Sequence, residues 1–176
     1  LQDSLAKVIL HGNAAVAQAA IRAGCRTFFG YPITPASEVM EEMQERLSQG
    51  NGVFLQAEDE IAAIGLALGA SLTGAKSMTA TTGPGLDLMT EMMGLASSAE
   101  IPVVIVDVQR CGPATGIPSK SEQSDLNHVV YGGHGDAPKV VIAPYDMEGC
   151  YRLLIESFNI SDFYQTPVIL LSDQWL

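Results

Sequence analysis

Apolar residues along this chain come in short continuous runs, separated by stretches where they recur every three or four positions. The runs predict strands at 7–13 (KVILHGN, turning into a helix), 26–30, 52–58, 76–81, 101–110, 139–144 and 166–173. The periodic stretches predict helices at 14–24, 36–48, 59–72, 86–97 and 146–158. Val39, Met43 and Leu47 form one helical stripe, and Ile61, Ile64 and Leu68 form another. Asn13 and Ser37 are expected N-caps, and Gly24 is a fitting stop. YPITP (31–35) carries two prolines three apart, so it is expected to be a loop. TGPG after Thr81 is expected to break the chain before the fourth helix. Residues 111–124, rich in Gly, Pro, Ser and Thr, are expected to form a long loop. The run 101–110 (IPVVIVDVQR) is the most continuous and suits a strand buried on both faces.

Strand–helix alternation of this kind predicts an α/β fold, a doubly wound and mainly parallel sheet with helices on both faces. Residues 1–176 read as a single domain. Ligands in such folds bind beyond the carboxyl ends of the strands. That rule selects four segments: YPITP, the Glu58–Glu60 region, TTGPG and the stretch after Arg110.

Composition restricts the function classes. Nine Lys plus Arg against 20 Asp plus Glu give a net charge of -11, which argues against nucleic acid as a partner. Only 16% of residues are charged and 47% are hydrophobic, so a subunit interface is expected. No run of eighteen apolar residues predicts a membrane span. Cys25, Cys111 and Cys150 lie far apart with no C-x-x-C, so neither a zinc knuckle nor an iron–sulfur site is expected on this chain, and a reducing cytoplasm suits them. Cys25 and Cys150 read as small core residues; Cys111, beside Arg110, reads as a candidate reactive thiol. The start at Leu1 and the stop after TPVILLSDQWL suggest a segment of a longer polypeptide.

Neither G-x-G-x-x-G nor G-x-x-x-x-G-K-[ST] occurs, and no metal-binding His spacing is found. The chemistry-bearing candidates lie elsewhere. Glu58 and Asp59 are explained as acids favoured at a helix N-terminus. Glu60 is less easily explained, because the helix after it (IAAIGLALGASL) carries no charge until Lys76, and a buried acid needs a partner. Gly65 and Gly69, four apart, permit close packing, here read as contact with another subunit. Arg110 ends the most buried strand at the ligand edge, where a guanidinium suits a carboxylate. Lys120 lies in the following loop.

GYPITPASEVMEEM, FLQAEDEIAAIGLALGASLTGAKSMTATTGPGLDLMTE and VVIVDVQRCGPATGIPSKSEQSDL, in this order, resemble the alpha subunit of 2-oxoacid:ferredoxin oxidoreductases, particularly the 2-oxoglutarate type. The resemblance covers nearly the whole chain and matches the pyrimidine-binding domain of the thiamine-diphosphate fold. It implies that Glu60 is the catalytic glutamate that hydrogen-bonds N1′ of the cofactor's aminopyrimidine. It implies that Thr34, Arg110 and Lys120 contact substrate, and that Tyr31, Pro32, Ile33, Thr82 and Gly83 border the cofactor. Ala36, Cys111 and Ser119 stand where the family commonly has Ser, Gly and Thr.

The diphosphate motif (GDG with a distant Asn pair) is not found in this chain. The resemblance therefore implies a beta subunit that supplies this motif, Mg2+ and a [4Fe-4S] cluster, in a hetero-oligomer such as a dimer of heterodimers. CoA is the implied co-substrate. Ferredoxin is expected to dock on the partner, since it is commonly acidic like this chain. Three alternatives remain open: a related thiamine enzyme acting on pyruvate, indolepyruvate or oxalate; a non-catalytic α/β interaction domain; and an ordinary nucleotide-binding module.

Overall fold

The computed structural model describes residues 10–176. Six strands form one sheet: β1 (Thr27–Gly30), β2 (Val53–Gln56), β3 (Ser77–Thr81), β4 (Val103–Gln109), β5 (Val140–Ile142) and β6 (Pro167–Asp173). Their order is β2-β1-β3-β4-β6-β5, and every pairing is parallel. All carboxyl ends therefore share one edge. β3, β4 and β6 are buried along their whole length, which is why they read as unbroken apolar runs. β2 is a short, largely exposed edge strand.

Six helices connect the strands: α1 (Gly12–Arg22), α2 (Ser37–Ser48), α3 (Glu60–Leu72), α4 (Gly83–Ser98), α5 (Leu126–Tyr131) and α6 (Met147–Tyr164). One core layer joins α1, α2 and α6 to the sheet through Val16, Val39, Met43, Leu154, Phe158, Val104 and Val106. The other joins α3 and α4 through Ile64, Leu68, Leu86, Met89, Met93, Ile105 and Ile169. Alternate residues of β4 feed the two layers, as a two-faced buried strand requires.

Several local expectations are corrected. The strand expected at 7–13 falls mainly outside the described residues, and Leu10 and His11 are not in a strand. His11, not Asn13, caps α1; its side chain accepts from the Ala14 N–H. Asn13 sits inside the first turn and donates to the Pro35 carbonyl and to Glu38, each at 3.0 Å. Ser37 is the first residue of α2 and makes no capping bond. TGPG does not delay the helix: α4 starts at Gly83, because a proline in the first turn lacks only an N–H that would have no intrahelical partner. Glu58 is exposed and precedes the cap, and Asp59 caps α3 by accepting from the Ala62 N–H at 2.7 Å. α6 continues to Tyr164, past the predicted 158, and ends on left-handed Gln165. The short α5 follows the long loop and was not foreseen; six residues carry too little periodicity to detect.

Cys25 and Cys150 are fully buried as expected. Burial pushes their thiols up to about 12 and about 11. The Glu122 carboxylate beside Cys111 also pushes that thiol up, so its neighbourhood opposes the reactive thiolate expected there. Among the described residues no helix is long and apolar enough to cross a membrane.

Candidate functional site

The four segments selected from the sequence do meet at the carboxyl edge. Tyr31–Pro35 follows β1, Glu60 opens α3 after β2, Thr82–Gly83 follows β3, and Arg110 follows β4. β3 lies between β1 and β4, so Thr82 sits between the two groups described next.

The first group centres on Glu60. Its residue is only 6% exposed, although it begins a helix of otherwise apolar and small residues. The cause is close packing of α3 on α4. A Cβ placed on Gly85 would stand 2.6 Å from Glu60 Oε1 and would also overlap Thr81 Oγ1. Glycine at 85 is thus what lets the Glu60 carboxyl lie against the first turn of α4. G85A is expected to cost about 1–3 kcal/mol of stability through overpacking, with a displaced Glu60. Denaturant unfolding of the same variant checks this.

The second group centres on Arg110, which is 7% exposed. Its Nη1 donates to the Thr34 carbonyl at 2.6 Å, and its Nη2 donates to the Thr115 carbonyl. The guanidinium therefore ties the YPITP loop to the long loop. Its Nε is buried and has no partner. A buried cationic donor left free is costly, and an arriving carboxylate would satisfy it. Thr82 Oγ1 is likewise buried without a partner. Tyr31, Pro32 and Thr34 are exposed and Ile33 is half-buried, so this loop presents a surface.

Lys120 lies in the loop that follows Arg110. It is exposed, and its side chain makes no hydrogen bond or ion pair among the described residues. Only its backbone is anchored, by accepting from the Cys111 N–H at 2.8 Å. The structure thus brings Thr34 and Arg110 together and Glu60 to Thr81 and Gly85, while the Lys120 backbone is bonded next to Arg110, at Cys111.

Several residues that order this edge carry no sequence signal. Gln109 Nε2 donates to the Ser172 carbonyl at 3.2 Å, while its Oε1 accepts from the Asp125 N–H at 3.0 Å. Gln123 donates to Asp173, and the Gly112 N–H donates to Glu122 at 3.1 Å. Together they fold the 111–125 loop back over the sheet. Each is a common polar residue in a polar stretch, so only a three-dimensional partner reveals it.

The open side of α3 completes the picture. A Cβ on Gly69 would meet nothing within 4 Å, and one on Gly65 would touch only the Met92 methyl at 3.8 Å. With Ile61, Leu66 and Met92 they line an apolar groove of about 660 Å³. The glycine face is therefore not packed on the sheet.

The sequence and the fold match known proteins. Residues 18–176 match the family model described as pyruvate flavodoxin/ferredoxin oxidoreductase, thiamine-diphosphate binding. The 2-oxoglutarate synthase subunit KorA of Archaeoglobus fulgidus is 51% identical, over 94% of this chain and 48% of that protein. The ketoisovalerate oxidoreductase subunit VorB of Methanothermobacter thermautotrophicus is 42% identical, over 96% of this chain and 48% of that protein. A solved 2-oxoglutarate:ferredoxin oxidoreductase from Magnetococcus marinus, with 2-oxoglutarate, coenzyme A and succinyl-CoA bound, superposes with a TM-score of 0.93 at 50% identity, over 94% of this chain and 29% of that one. The chain thus spans about half the length, or less, of the relatives it matches. The sheet order and these likenesses lead to one conclusion: this chain belongs to the thiamine-diphosphate-binding family of the pyruvate flavodoxin/ferredoxin oxidoreductases.

Proposed function

We propose that this chain forms the pyrimidine-binding half of the thiamine-diphosphate site of a 2-oxoacid:ferredoxin oxidoreductase. The reaction is the CoA-dependent oxidative decarboxylation of 2-oxoglutarate to succinyl-CoA, or its reductive reverse. The observation that carries this reading is a buried carboxyl, Glu60, held against a glycine at the ligand edge of the sheet.

The residues fit the cofactor. Glu60 would accept a hydrogen bond from the pyrimidine, and the free Thr82 hydroxyl and Gly83 would border the same ring. Tyr31, Pro32 and Ile33 would wall the pocket. When bound, thiamine diphosphate supplies the centre that stabilises negative charge after attack on the 2-oxo carbon. Glu60 holds a proton at the pyrimidine nitrogen, and its dry surroundings strengthen that hydrogen bond. Arg110 Nε receives the substrate carboxylate, with Thr34 fixed beside it. Lys120, exposed in the loop that follows Arg110, is proposed to reach the distal carboxylate of a dicarboxylic substrate.

A beta subunit would supply the diphosphate-binding half, Mg2+ and the [4Fe-4S] cluster, and would receive ferredoxin. The assembly is proposed as a cytoplasmic dimer of heterodimers. The subunit names of the relatives support a multi-subunit enzyme. The apolar groove at Gly65 and Gly69 is proposed to take the partner. L66R, which places a charge in that groove, is expected to weaken assembly at least about tenfold. Sedimentation of the co-expressed subunits checks it.

A second reading, a branched 2-oxoacid as substrate, is supported by the likeness to the ketoisovalerate oxidoreductase subunit VorB. Turnover of the assembled enzyme on 2-oxoglutarate, pyruvate and branched 2-oxoacids decides between them. A preference for 2-oxoglutarate in kcat/KM is expected. Ferredoxin or viologen reduction with none of them would defeat the proposal.

A further inference from the structure

Asp107 lies in the middle of β4, fully buried, with neither carboxyl oxygen hydrogen-bonded to a donor. The β4 alternation points it to the α3–α4 side, in register with Thr81 of β3. Its neighbour there is Asp125, which lies half-buried between the 111–124 loop and α5. Asp125 stands at the N-cap of α5 but makes no capping bond with its side chain. It turns instead to the start of α4, where a Cβ on Gly83 would stand 2.8 and 2.9 Å from its two oxygens. Its Oδ2 is also buried without a donor. Three buried carboxyl oxygens without a donor form a repulsive arrangement unless one proton lies between the two groups.

We propose that Asp107 and Asp125 share one proton and form a positioning clamp that ties the 111–125 loop to the first turn of α4. Asp107 is the protonated member and donates to the Asp125 carboxylate. Burial first, then the Asp125 and Asp87 charges, hold Asp107 well above the usual carboxylate range. Burial first, and the Asp87 charge, push Asp125 upward too, but it is only half-buried and His128 and the Gly83 N–H favour its charged form, so it is the ionised member. The other charged groups around the pair are Asp87 on α4, which lies 3.3 Å from His128 on α5, and Glu60 on α3, which touches Gly85 in the same turn. The clamp spans the two parts of the edge that must stay in register: Thr82 and Gly83 on one side, and the loop held by Arg110 on the other. Its consequence for turnover rests on the function proposed above; the clamp itself does not.

The sign of its pH dependence follows from linkage. The closed clamp keeps the Asp107 proton, and an open, hydrated Asp107 releases it at any pH above its ordinary value. Raising the pH therefore favours opening, by up to about tenfold per pH unit for one proton. Hydrogen exchange of the 111–125 peptide in the assembled enzyme, corrected for intrinsic rates, reads this directly. Wild-type protection should fall at least about tenfold between pH 6 and 8. D107N, which keeps a donor to Asp125 but has no proton to lose, should be protected at both pH values and retain turnover. D107L should be unprotected at both and lose about a hundredfold in kcat, as a misplaced site does. Should D107L fail to assemble, D125A removes the acceptor and should give the same unprotected loop. His128 is present in wild type and D107N alike, so it cannot produce a difference between them. Equal pH slopes in wild type and D107N, or a loop that stays protected in D107L or D125A, would overturn the clamp. An enzyme inactive on every 2-oxoacid would refute the proposed function and leave the exchange result to judge the clamp alone.

Discussion

Replacing Glu60 with Gln in the assembled enzyme is expected to lower turnover by about 10²- to 10⁴-fold, the range for a positioned acid–base group. The substitution conserves size, so the packing against Gly85 and the helix start at Asp59 should survive. What is lost is the negative charge facing the pyrimidine. A glutamine can still offer an oxygen, but it cannot stabilise a protonated ring nitrogen as a carboxylate does. KM for the 2-oxoacid should change little, because Glu60 is assigned to the cofactor and not to the substrate carboxylate. Steady-state viologen reduction measures both constants. Turnover near the wild-type value would make Glu60 only a helix-terminal acid.

The second large effect is expected at Arg110. R110K keeps the charge, but a single ammonium cannot hold the Thr34 and Thr115 carbonyls and also present a free donor. Leaving two backbone carbonyls and a substrate carboxylate imperfectly paired should cost about 2–5 kcal/mol of transition-state stabilisation. That corresponds to roughly 30- to 5,000-fold in kcat/KM. Unlike E60Q, this variant should raise KM for the 2-oxoacid. The split between the two variants separates a substrate-binding arginine from a cofactor-facing glutamate. An unchanged KM in R110K would remove Arg110 from the substrate site.

The architecture was legible in the chain because its strands are long enough and apolar enough to stand out. β4 and β6 are buried on both faces, so their patterns are uninterrupted. The ligand edge followed from the rule that parallel strands all end on one side. Helix ends were read less well. Asn13 looks like a cap but is recruited by Pro35 and Glu38 of a distant element. The glycines divide in an instructive way. Gly85 is essential to the packing around Glu60 yet gives no signal beyond its place in TGPG, whereas Gly65 and Gly69 attract notice but face open space. Lys120 looked like a companion of Arg110 because it is basic and near in sequence. The loop's backbone bonds fix its main chain beside Cys111, while its side chain is exposed and makes no polar contact among the described residues.

The polar framework was the least visible part. Asp125 reaches back across a loop to Gln109, 16 positions earlier, and Gln109 reaches Ser172, 63 positions on, where spacing carries no periodic information. Asp107 inside VVIVDVQR was the one available hint. A carboxyl in a fully buried strand must be neutral, paired or both. The low charge of the chain has a matching basis in the structure. Ile61, Leu66, Leu72, Leu88 and Leu95 stand exposed on α3 and α4, which is surface suited to a partner subunit.

The central claim is that the Glu60–Arg110 edge is the pyrimidine half of a thiamine-diphosphate site. A crystal structure of the assembled enzyme with thiamine diphosphate and a 2-oxoacid bound tests it most directly. The pyrimidine N1′ is expected at hydrogen-bond distance, about 2.6–3.2 Å, from a Glu60 carboxylate oxygen. The 2-oxoacid carboxylate is expected on the free Nε of Arg110, beside Thr34. A pyrimidine ring lodged away from Glu60, with Arg110 still facing only the two backbone carbonyls, would contradict it.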